Sequence, residues 1–151
     1  MIRRHALALA AACLLAGTTL AADAVVGRWV LDDDALRERL RALFEAQLVQ
    51  LSAEQQAMAR GMLEAQLEST LSDLTGSSLV LDEDGTATLE PATMPPQPGR
   101  WQRDGDRITV TPDAPDAGTV ALDGTLRDDR LELRPQDPDA PMVFVFRRST
   151  D

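Results

Sequence analysis

Ser78-Leu79-Val80-Leu81-Asp82-Glu83-Asp84-Gly85-Thr86-Ala87-Thr88-Leu89-Glu90 decides the fold class of this chain. Two short runs, Ser78–Leu81 and Thr86–Glu90, flank an acidic turn that ends in Asp84-Gly85. Branched residues fit a pleated surface. An Asp-Gly pair supplies the backbone freedom that a tight hairpin needs. Downstream the pattern repeats. Strands are expected at Gly99–Arg103, Arg107–Thr111, Thr119–Arg127, Arg130–Arg134 and Met142–Arg148. Asp104-Gly105-Asp106 and Asp128-Asp129 are tight turns, whereas Pro91–Pro98, Pro112–Gly118 and Pro135–Pro141 are looser, Pro-rich loops.

Upstream of Ser78 the periodicity is helical. Val25–Leu31 reads as a first strand, and Asp32-Asp33-Asp34 stops it and can cap a helix beginning there. From Ala35 to Leu51, the residues Leu36, Leu40, Leu43, Phe44, Leu48 and Leu51 share one helical face. Ser52-Ala53-Glu54-Gln55 has the form of a capping box, so a second helix is expected from Ala53 to Leu74, ended by Thr75-Gly76-Ser77. This helix carries two apolar stripes. Met58, Met62, Ala65 and Ser69 form one, and Leu63, Leu67, Leu71 and Leu74 form the other. A surface helix needs only one such stripe. The second has to cover the first helix, a ligand or another subunit. The expected fold is mainly β: about eight antiparallel strands in a barrel or sandwich, with a helical hairpin at about 35–74 inserted after the first strand.

The first 22 residues read as a secretory signal. Arg3-Arg4 gives a positive start, Ala6–Leu15 is apolar throughout, and Ala21-Ala22 offers small residues for cleavage. Cys13 has Ala10 three positions before it and more apolar sequence after it, which is not a lipoprotein pattern. The expected location after cleavage is periplasmic or extracellular, and the short Ala-rich signal suggests a bacterial source. About 130 residues remain in 23–151, enough for one domain with its own core.

Removal of the signal changes the chemistry. His5 and Cys13, the single His and the single Cys, both leave with it. No disulfide is then possible in an oxidising compartment. The chain holds no Lys and no Tyr, and its 25 Asp and Glu all lie in the mature part. Such residues build no Ser-His-Asp triad, cysteine nucleophile or lysine Schiff base. They also build no His or Cys metal site. The acidic charge disfavours nucleic acid as a partner. Asp32-Asp33-Asp34 and Asp82-Glu83-Asp84-Gly85 could hold calcium through oxygen, but neither has EF-hand spacing. Cap and turn roles suffice for them. No cofactor, metal or catalytic residue is expected.

An N-terminal strand with Gly27-Arg28-Trp29, about eight antiparallel strands and an arginine on the last one, Arg147 or Arg148, resemble the calycin superfamily of lipocalins and fatty-acid-binding proteins. The resemblance implies a barrel in which the arginine packs across the tryptophan and closes one end. Gly27, Trp29, Arg147 and Arg148 are then the barrel-closing candidates. A helix pair between the first two strands is similar to the fatty-acid-binding arrangement, though longer. Leu81–Thr86, Gly99-Arg100-Trp101 and Asp106-Arg107-Ile108 are also similar to small bacterial lipocalin-like domains of unassigned function. The chain has no tyrosine, so the family's arginine–tyrosine fatty-acid clamp does not carry over.

The function expected is non-enzymatic binding of a small apolar ligand or lipid. Its candidate lining is Met58 and Met62 from the helix and Phe144 and Phe146 from the last strand. Met suits an adaptable pocket. The alternative is a protein partner, or self-association, through helix 53–74.

Overall fold

The computed structural model describes residues 24–114, 120–137, 139 and 142–150. The expected signal segment 1–22 and its cleavage point lie outside the described residues. Eight strands and two helices follow one another: β1 (Gly27–Leu31), α1 (Asp33–Leu48), α2 (Ala53–Leu74), β2 (Ser78–Leu81), β3 (Thr86–Glu90), β4 (Gln97–Asp104), β5 (Arg107–Pro112), β6 (Leu122–Arg127), β7 (Arg130–Pro135) and β8 (Phe144–Arg148). Each strand pairs antiparallel with the next, and β8 returns to β1, so the barrel is closed. Closure leaves no edge strand to pair with another chain.

The register places one face of every strand inside. Trp29 lies opposite Leu79 and Arg148, Leu81 opposite Ala87, Trp101 opposite Val110, and Leu131 opposite Phe146. The apolar residues of these pairs are buried together in one core. Gly124 faces Ile108 and Leu133 across its two neighbours. A Cβ there would lie 1.7 Å from the Glu132 carbonyl oxygen, so only glycine fits this approach of β6 to β7.

The helices form because caps and stripes agree. The Asp32 side chain accepts from the Ala35 N–H at the start of α1, and Ser52 and Gln55 bond reciprocally at the start of α2. Leu36 and Leu40 of α1 and Leu67 and Leu71 of α2 join the barrel's core. Arg39 reaches Glu132 on β7 at 3.6 Å. α1 ends at Leu48, three residues before the expected Leu51. Leu48 is the last buried anchor, and the Val49 N–H closes the helix onto the Glu45 carbonyl. Leu51 belongs to the connector and is 38 % exposed.

Turn chemistry gives the barrel two unlike ends. The tight turns at 82–85, 104–106 and 128–129 all lie at the end where Trp29 sits. The links that leave β3, β5 and β7 do so at the other end, as does the α2–β2 junction, and the described residues 91–96, 113–114, 120–121, 136–137 and 142–143 belong to them.

Candidate functional site

The first end is sealed. Trp29 is fully buried, and its indole Nε1–H donates to the Val25 carbonyl at 2.8 Å. The Arg148 guanidinium stands 5.2 Å from the centre of the Trp29 ring. The same group donates to the Ala24 and Val26 carbonyls. A cation over an indole face gains about 0.5–2 kcal/mol. Gly27 takes φ +134°, a conformation open to glycine, and this lets the chain turn into β1 beneath the arginine. Trp101, the tryptophan of the second Gly-Arg-Trp, donates its Nε1–H to the Asp82 carbonyl at 2.8 Å. Both indoles are thus satisfied inside the seal.

Arg147 is not part of that seal. Strand alternation turns it outward, where its Nε lies 3.2 Å from Asp32 Oδ2. Asp32 is the α1 cap, and its backbone N–H donates to the Val145 carbonyl at 2.7 Å. Of the two arginines expected to close the barrel, Arg148 packs on Trp29 and Arg147 ties β8 to the helix cap. The other acidic cluster has a turn role. Asp84 Oδ1 accepts from the Thr86 N–H, and hydrogen bonds from Thr86 hold its carboxyl below its ordinary pKa. Among the described residues, no group of three or more His, Cys, Asp or Glu is arranged to hold a metal ion.

The other end holds a partly open cavity of about 380 Å³. Its walls are inward residues of the strands, including Leu31, Ala87, Leu89, Val110, Leu122, Phe144 and Phe146. Its rim is built from Pro91, Met94, Pro98, Pro112, Val120 and Pro135. Prolines suit this place because a rim residue need not donate to a ladder. Leu74 at the end of α2 also lines the cavity. None of the described lining residues is charged. Ser77 and Gln97 are the polar exceptions. The Ser77 hydroxyl accepts from the Ala92 N–H at 3.2 Å, which fastens the rim loop to the start of β2. Gln97 is the first residue of β4 and shares its inward face with Gly99 and Trp101. Its Oε1 is buried and has no hydrogen-bond partner among the described residues.

The expected lining residues divide. Phe144 and Phe146 stand in the cavity wall. Met58 and Met62 do not: each is 76 % exposed on α2. Of the two stripes on α2, Leu67 and Leu71 pack into the core, while Met58, Met62, Ala65 and Ser69 face solvent. The helix turns its Leu67–Leu71 side to the core, which leaves the methionine stripe on the opposite side in solvent. Gln97 went unforeseen because it sits beside Pro95-Pro96 and Pro98, which read as loop. Its position four residues before Trp101, on the same strand parity, is the signal that places it inside.

The fold is therefore a closed, eight-stranded, up-and-down antiparallel barrel with one sealed end and an apolar cavity at the other. Family models, curated proteins and solved structures were each compared with the chain, and none matches it.

Proposed function

We propose that this protein is an exported, non-enzymatic binding protein of the lipocalin-like, calycin kind, which holds a small apolar molecule in the barrel cavity. The observation that carries this reading is the cavity itself. Its volume of about 380 Å³ falls within the roughly 300–1,000 Å³ range of small-molecule sites. An apolar lining with few polar groups suits such a ligand. The Trp29–Arg148 stack supports the calycin reading, since it pairs the first strand's tryptophan with the last strand's arginine. Export rests on the Arg3-Arg4, Ala6–Leu15 and Ala21-Ala22 pattern. The non-enzymatic reading rests on the residue types left after cleavage and on the absence of titratable pairs among the described lining residues.

Gentle mass spectrometry of the protein purified from its native host, with organic extraction, tests the proposal. A stoichiometric apolar molecule is the expected result. A bare monomer with an empty extract counts against a carrier. A ligand-free dimer favours the second reading, a protein-interaction role for α2. That reading draws on the exposure of Met58 and Met62, large apolar side chains left facing water.

A further inference from the structure

We infer that the binding site continues past the barrel: the cavity takes an apolar chain too long for it, and Met94 and Val120 at the mouth hold the part that emerges. The inference rests on the binding reading above and names the shape of the ligand and two residues that select it.

Among the described residues of the strands and the links between them, two large apolar side chains stand exposed, Met94 at 56 % and Val120 at 45 %. Both belong to the rim of the cavity. A single exposed apolar residue is ordinary on a protein surface. Here the two stand at one mouth, and the backbone beside each is held. The Ala92 N–H, two residues before Met94, donates to Ser77 Oγ at 3.2 Å. The Ala121 carbonyl, next to Val120, accepts from the Gln136 N–H at 2.8 Å. Pro91, Pro98, Pro112 and Pro135 stiffen the same rim. The exposed pair is thus positioned before a ligand arrives, and little ordering opposes the contact.

Size supplies the second part of the argument. A methylene takes roughly the 30 Å³ share of a water molecule, so a cavity of about 380 Å³ holds about twelve of them. A chain that ends inside leaves Met94 and Val120 facing water. A longer chain runs out through the mouth and covers them, and the apolar area removed from water tightens the complex. The contact at the rim therefore discriminates by length.

The test uses the whole protein and two probes, 1-octanol and 1-hexadecanol, each competing against an uncharged fluorescent naphthylamine. The readout is the ratio of each probe's affinity between the unmodified protein and the double variant Met94→Gln, Val120→Thr, so the unequal solubilities of the probes cancel. Hexadecanol should weaken about five- to tenfold and octanol less than about twofold. Both positions are exposed, so the melting temperature should stay within about 2 °C. Met94→Leu with Val120→Ile keeps the contact apolar and should return hexadecanol to within about a factor of two of the unmodified protein. Equal weakening of the two probes, or weakening of neither, overturns the inference but leaves a cavity that binds. Displacement of the fluorophore by octanol and not by hexadecanol overturns it as well. If neither the fluorophore nor any probe binds, the cavity reading fails and this one with it.

Discussion

Arg147 and Arg148 are neighbours with separate tasks, and their difference can be measured. Arg148 holds two backbone carbonyls of the chain's entry into β1 and stands over Trp29. Arg148→Ala removes charge-assisted bonds worth about 1.5–3 kcal/mol each in buried settings, and less here because the group is partly exposed. A loss of about 1–3 kcal/mol is expected from the urea midpoint. Arg147→Ala breaks one pair whose arginine is 57 % exposed, and Asp32 keeps its Ala35 partner. A loss below about 1 kcal/mol is expected there. Equal losses would contradict the division of roles. The sequence carried the information to choose between the two. Phe144, Phe146 and Arg148 share one parity and Val145 and Arg147 the other, so an inward Phe146 implies an inward Arg148. Gln97 was harder to read, since an unmet hydrogen bond is a property of its surroundings and leaves no trace in composition.

Among the elements, α2 invites a paired comparison. Leu67→Ala empties a buried site in the shared core and should cost about 2–5 kcal/mol. Met58→Gln with Met62→Gln changes only the solvent-facing stripe and should stay within about 0.5 kcal/mol. Thermal melts of the two variants, with light scattering to follow association, report both. A drop in self-association in the double variant would favour the partner reading of α2. The hairpin was legible through its caps: Asp32 and Ser52 both stand where the helices begin. Which of two stripes packs was not legible, because helical spacing fixes relative faces and says nothing of where the barrel lies.

At the level of the whole molecule, acid should loosen the barrel wall. Glu90 accepts from Ser78 and Arg28, and Asp123 forms a two-pronged pair with Arg107. Ser78, then Arg28, hold the Glu90 carboxyl below its ordinary value, and Arg107 does the same for Asp123. Folded pKa values below the unfolded ones give stability that is complete above roughly pH 5 and is lost as pH falls through the folded values. The urea midpoint should be flat from about pH 5 to 8 and decline below. Binding of a neutral ligand should follow the same plateau, since no described lining residue titrates. A change in apolar-ligand binding between about pH 6 and 8, followed by fluorescence titration, would place an ionisable group at the cavity. The tight turns and the Pro-rich links were legible in the sequence, and strand pairing then sets the Asp-Gly and Asp-Asp turns together at the seal. Closure was not legible in the strand pattern, because pairing of β8 with β1 joins residues more than a hundred positions apart, and only the resemblance carried by Gly27, Trp29 and the late arginine pointed to a barrel.

That long-range pairing sets the order in which the chain acquires its shape. β8 is the last of the eight strands to be synthesised, and Arg148 near its end supplies the contact that fixes Trp29 at the start. Loop closure over such a separation is slow compared with the local hairpins. Until β8 arrives, β1 and β7 each present one unpaired edge, the condition that favours aggregation. A chain ended before Phe144 should therefore gather into insoluble material while its hairpins still form. Folding of the intact chain should be held back until its final strand has emerged.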